Sequence, residues 1–211
     1  MAVDDDGNIY VADGCNHRIQ KFTPDGNFIT AVGKKGREEL QFNFPIGGTI
    51  HPLNMKMYVA DHNNNRIQIL NPDLTFSSSF GNYGGGNGQF DHPIDVAFDS
   101  TGNVYVADHH NNRIQVFTAE GEFVRELGQC GSGDGELHSP TGVSIGSDNV
   151  VYVTEAKNDC ISVFTCKGKF LTSFGKTGIG PGEFSCPRGI AVDKDGIVYV
   201  CDVRNYRLQL F

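Results

Sequence analysis

Four pairs of oppositely charged residues recur with the same spacing: Asp13 and Arg18, Asp61 and Arg66, Asp108 and Arg113, Asp202 and Arg207. Arranged around a channel, such pairs would make a ring of charge. Arranged across a tight turn, the guanidinium neutralises the acid while Asp and Asn side chains fold back on turn amides. The place where the series breaks favours the turn. There Glu155 stands for the aspartate and Cys160 for the arginine, so both partners change together.

Histidine is the other residue type that could do chemistry. His62 and His109 each follow one of these acids directly, and His110 comes next. A zinc site needs three or four convergent ligands. The positions expected to line a channel are Ile46, Ile94, Thr141 and Arg188, none of which ligates a metal, with Asp95 the one carboxylate nearby. The expectation is therefore no catalytic residue, no metal and no cofactor, with His62 and His109 as polar surface groups. Asp193-Lys194-Asp195-Gly196 and Asp4-Asp5-Asp6-Gly7 resemble the start of a calcium loop but lack its downstream Glu. Gly175-Lys176-Thr177 lacks the upstream glycine and the helix of a phosphate-binding loop. The six cysteines contain no Cys-x-x-Cys pair and fall at unrelated places in the pattern below, which reads as reduced thiols of a cytoplasmic protein.

The elements that position these residues are repeated. Tyr-Val-Ala-Asp at Tyr10 returns at Tyr58 and Tyr105, and in altered form at Tyr152 and Tyr199, at intervals of 48, 47, 47 and 47 residues. An asparagine follows each acid by three positions: Asn16, Asn64, Asn111, Asn158, Asn205. Each unit reads as four strands. The first follows Pro45, Pro93, Pro140 or Pro187. The second is the Tyr-Val strand, the third is the Arg-Ile-Gln strand, and the fourth is an alternating strand such as Phe170–Phe174. The first three are apolar on both faces, so both faces must be covered; the alternating fourth suits an outer edge. Four-stranded units of this period predict an all-β chain of β-propeller blades over residues 1–211, with repeats near 1–44, 45–92, 93–139, 140–186 and 187–211, the last lacking its outer strand.

Pro-x-Gly-(Ile/Val)-Ala-Val, Tyr-Val-Ala-Asp and Asn-x-Arg-Ile-Gln-x-Phe, carried best by Pro93–Phe117 and Pro187–Phe211, resemble NHL repeats. The Gly-rich loops ending in Gly-x-Gly-(Glu/Gln)-(Phe/Leu) are most similar to the NHL modules of animal tripartite-motif proteins. That resemblance implies a six-bladed propeller of which this chain is a part, preceded by RING and B-box modules; the alternative is a closed ring of five blades with one outer strand missing. No such Cys/His cluster stands in the chain, so ubiquitin-ligase activity is not carried over.

A net charge of −8 makes the chain a poor candidate for sequence-blind binding that rests on many phosphate contacts, and no DNA partner is expected, although net charge does not say where charges sit. No apolar run is long enough for a membrane helix. What remains is a loop face bearing His62, Asn63, Tyr83, His92, His109, His110, Lys157, Arg188, Arg204 and Tyr206. Cations, amides and rings together suit an RNA loop or a protein partner. The expected function is a non-catalytic, scaffold-like interaction module that recognises RNA or protein, with self-association through uncovered blades. The second reading is a propeller-type lyase or hydrolase with a metal in its channel.

Overall fold

The computed structural model describes residues 1–211 and is all-β. It divides into two compact units, Met1–Val96 and Ala97–Phe211. In the first unit, β1 (Ala2–Val3), β2 (Ile9–Asp13), β3 (Arg18–Phe22) and β4 (Phe28–Val32) form one sheet in that order. A second sheet runs β5 (Pro45–Ile50), β6 (Met57–Asp61), β7 (Arg66–Leu70), β8 (Phe76–Phe80). A third runs β9 (Pro93–Phe98), β10 (Val104–Asp108), β11 (Arg113–Phe117), β12 (Phe123–Leu127); the unit boundary falls inside β9. The second unit continues with β13 (Pro140–Ile145), β14 (Val150–Glu155), β15 (Cys160–Thr165), β16 (Phe170–Phe174). The last sheet has three strands, β17 (Pro187–Val192), β18 (Val198–Asp202) and β19 (Arg207–Leu210). These are β-propeller blades, and the expected strand order holds in each. No helix is long and apolar enough to cross a membrane.

Register follows from the turn chemistry. Asp61 lies directly opposite Arg66, and Asp108 opposite Arg113, so each hairpin closes on its charged pair. A bulge between the third and fourth strands, as at Val116/Phe117, lets Phe117 meet Phe123 edge-on at 6.0 Å. The tyrosine hydroxyl of the second strand reaches back to the first hairpin turn: Tyr105 donates to Asp99 Oδ2 and Tyr199 to Asp193 Oδ2, each at 3.1 Å.

Each glycine-rich loop delivers one apolar plug. Phe42, Phe90, Leu137 and Phe184 are fully buried, each held by a parallel bridge to Lys35, Tyr83, Cys130 or Thr177. Glycine is required beside the plug. At Gly175 φ is +91°, and a Cβ there would stand 2.5 Å from the Phe184 ring. In the first unit Phe42 packs with Tyr10, Ile19, Met57, Val59 and Leu70. In the second, Leu137 packs with Tyr105, Ile114, Val116, Val153 and Phe164, and Phe184 with Ile161 and Val200.

Candidate functional site

The turn between the second and third strands is built identically in most blades. In the first unit it is the 3-10 turn His62–Asn64 closed by Asn65 at φ 57°. Asn65 Oδ1 then accepts the amide of His92, the residue before the opening proline of β9, at 2.8 Å. That bond fixes the loop carrying Asp91 and His92 against the turn carrying His62. His92 itself has φ +58°, a conformation shared by Phe44, Ser139 and Cys186 before the other opening prolines. The strain therefore belongs to the fold and not to histidine.

The rings meet here. His62 and His92 stand edge-on with centroids 4.8 Å apart, and the Phe44 ring lies tilted 6.1 Å from that of His62. His62 Nδ1 is 3.1 Å from the Pro93 carbonyl oxygen. A carbonyl can only accept, so the neutral ring carries its proton on Nδ1 and its lone pair on Nε2. His92 Nδ1 is 2.5 Å from Asp91 Oδ1, and the carboxylate orients that ring in the same way. All three side chains are half-buried. In the second unit His109 Nδ1 repeats the contact, 3.0 Å from the Pro140 carbonyl, with His110 at 4.9 Å.

The remaining residues expected on the loop face do not gather into this cluster. Asn63 bonds Asn43 Oδ1, and Tyr83 is exposed. Lys157 and Arg204 are exposed, their amides bonded to the His138 and Ser185 carbonyls. Arg188 is exposed, and Tyr206 is 95% exposed at the turn-closing position of the last blade. The charged pairs are hairpin contacts: Arg18, Arg66, Arg113 and Arg207 donate through Nε to Asp13, Asp61, Asp108 and Asp202 at 2.8–3.0 Å.

Two things escaped the sequence reading. Asp91 was not singled out, although it is the only acid directly before the residue preceding an opening proline; Asn43, His138 and Ser185 occupy the same place elsewhere. The glutamine of Arg-x-Gln was also missed. Gln68 Nε2 joins Asp61 Oδ2 at 3.2 Å and the Gln41 carbonyl at 2.7 Å.

Blade sheets with these hairpins define a repeat protein of the β-propeller class. The NHL repeat family profile matches residues 1–22, 90–117, 137–164 and 184–211, just over half of the chain, and the chain belongs to that family. No curated protein sequence matches it. Among solved structures, virginiamycin B lyase from Staphylococcus aureus superposes with a TM-score of 0.72 at 20% identity, over 99% of this chain and 67% of that one. A streptogramin B lyase gives 0.71 at 17% identity, over 98% and 76%. A gluconolactonase from Xanthomonas campestris gives 0.71 at 14% identity, over 99% and 73%. Likeness at these identities is likeness of fold.

These neighbours overturn the expectation of a non-catalytic module without enzyme activity: the fold is shared with two lyases and a gluconolactonase. The expectation placed ligands on the inner strands, just after the opening prolines. After the opening prolines the inner strands come so close that a Cβ on Gly47 would lie 2.2 Å from the Ile94 carbonyl, and one on Gly142 2.3 Å from that of Arg188. The imidazoles of His62 and His92 stand instead on a turn and an opening loop.

Proposed function

We propose that the chain works as a propeller-type lyase or hydrolase, with imidazole acid–base chemistry at His62 and His92. The observation that carries this reading is the Asp91–His92 pair set edge-on against His62. A carboxylate on one ring nitrogen holds the tautomer and stabilises the imidazolium formed when the other nitrogen takes a proton. His62, its Nδ1–H held by the Pro93 carbonyl, brings a second imidazole beside the first. Two such imidazoles side by side can remove a proton from carbon or water and return one to a leaving oxygen. Elimination and ester hydrolysis share those two steps. Phe44 supplies ring surface beside them for an apolar part of a substrate. The fold shared with virginiamycin B lyase, streptogramin B lyase and gluconolactonase supports the reading and points to a lactone or related ester as substrate.

The Nε2 atoms of His62 and His92 are also ligand atoms of the kind a divalent metal uses, and would fill part of a three- or four-ligand set. A bound cation would add polarisation of the substrate carbonyl. The proton transfers assigned to the two histidines do not depend on it.

The test is an assay of the purified protein on a panel of five- and six-membered lactones and on a streptogramin B, with and without added magnesium or manganese. Turnover is expected on at least one. His62→Ala and His92→Ala should each lower kcat by about 10²- to 10⁴-fold with an unchanged melting temperature. No turnover across the panel, or full activity in the double variant, overturns the reading.

A further inference from the structure

The fourth blade differs from its siblings in one respect that leaves space. In the second blade the Arg66 guanidinium donates to the Glu38 and Gln41 carbonyls at 2.9 and 2.8 Å as well as to Asp61. In the last blade Arg207 does the same with Ile179, Gly180 and Glu183, and with Asp202. Aligned on the opening prolines, the corresponding carbonyls in the fourth blade are those of Ser132, Gly133 and Glu136, and the corresponding side chain is Cys160. The glutamine that also reaches this group, Gln68 to Gln41 and Gln209 to Glu183, is replaced by Ser162. Neither short side chain reaches the loop: Cys160 Sγ and Ser162 Oγ both turn to Glu155 Oε1.

The result is a pocket of about 290 Å³ whose walls include Ser132, Gly133, Glu136, Glu155, Cys160 and Ser162. Glu155 is 1% exposed. Its Oε2 accepts from the His138 amide and from Asn158 Nδ2, which holds the carboxylate in place. Lys176 is the one cation on the wall, and its ammonium is turned to Glu183 at 3.4 Å with the side chain 75% exposed. The pocket thus keeps the acceptors that two sibling blades use to bind a guanidinium, and lacks the arginine.

We infer that this pocket binds a guanidinium group supplied from outside the blade. A flat cation with donors on two edges fits two backbone carbonyls and a carboxylate together, which a compact ammonium does not. The group can belong to a small guanidine or to an arginine of another chain. The inference does not rest on the catalytic reading, and its measurement is binding and not turnover.

Ethylguanidinium, the end of an arginine side chain, is titrated into the intact protein by NMR. Parallel titrations use acetyl-Gly-Arg-Gly-amide and butylammonium. Saturable shifts at blade-four amides with a dissociation constant on the order of millimolar are expected for a ligand of this size, at least about tenfold tighter than for butylammonium. Equal binding by fragment and peptide means a small guanidine suffices; binding only by the peptide means an arginine of a partner chain is the occupant. Either supports the inference. Cys160→Arg should abolish binding by filling the pocket from within, and Glu155→Gln should weaken it at least tenfold (about 1.4 kcal/mol). If Cys160→Arg does not fold, the set Glu155→Asp, Cys160→Arg, Ser162→Gln, which restores the sibling arrangement, replaces it. No saturable binding by the parent protein, or undiminished binding once the pocket carries its own arginine, overturns the inference.

Discussion

Arg66 Nε donates to Asp61 Oδ2 at 2.8 Å, and the carboxylate that takes this bond joins three segments of chain. The same carboxylate takes the Asn43 amide through Oδ1 at 2.7 Å, and Asn64 and Gln68 through Oδ2. The hairpin between β6 and β7 is thereby tied to the loop that precedes β5. Asp61 is fully buried, so removing the guanidinium strands a charge out of water. Arg66→Ala is expected to cost about 3–5 kcal/mol in urea unfolding. Arg18→Ala removes the same contact where the arginine side chain is 40% exposed, and should cost about 1 kcal/mol or less.

Acid should destabilise the fold through Asp202 and Asp99. Burial by itself raises the Asp202 pKa, but hydrogen bonds from the Ser185 amide, Asn205 and Arg207 outweigh it and hold the group below its ordinary 3.8. Asp99 is lowered in the same way, burial again opposed by Thr101 and Asn103. A carboxylate whose pKa is depressed on folding contributes stability that is complete above the unfolded value and lost as pH falls through the folded one. Melting temperature should therefore be flat from neutral pH to about 5 and drop steeply below about 4. A profile still flat at pH 3 would contradict this.

Cys160 should be the least reactive of the partly exposed thiols. Burial, reinforced by the Glu155 carboxylate, pushes it up to about 12. At pH 8 almost none of it is thiolate, and the thiolate is the nucleophile. Timed iodoacetamide labelling read by peptide mass spectrometry should modify exposed Cys15, Cys130 and Cys201 first. Labelling of Cys160 as fast as Cys201 would refute the contact with Glu155.

The loop plugs should behave as core. Phe184→Ala empties a fully buried site against Ile161 and Val200, and should cost about 3–5 kcal/mol. Gly175→Ala should destabilise by more than about 1 kcal/mol, because φ is +91° and the new methyl would meet the Phe184 ring at 2.5 Å. Combining it with Phe184→Ala should relieve the clash, so the two costs should not add.

The blades were legible because their signals are local and repeat four or five times. Opening proline, Tyr-Val-x-Asp, Asn-x-Arg and a glycine loop each specify a turn or strand within a few residues, and the period fixes their order. The plugs were visible only as the last residues of a loop motif. Their burial depends on β-strands elsewhere in the chain. His62 and His92 were both placed on the candidate binding face, but Asp91 was not connected to them. Nothing in a run of Asp-His-Pro says that the imidazole will turn back on the acid and stand 4.8 Å from a ring thirty residues upstream.

The exchange of Glu155 and Cys160 for the usual pair was plain in the sequence, and by itself it says only that a hairpin contact has changed. The pocket was not legible. An arginine of these blades reaches carbonyls 24–28 residues before it, as Arg207 does with Ile179, Gly180 and Glu183. A loop's backbone acceptors carry no sequence signature. Residue order alone therefore determined the strands, the turns and the family, since those follow from steric and hydrogen-bonding preferences over short stretches. Folding decided which donors meet which acceptors across that distance, and so where the imidazoles converge and where a guanidinium can enter.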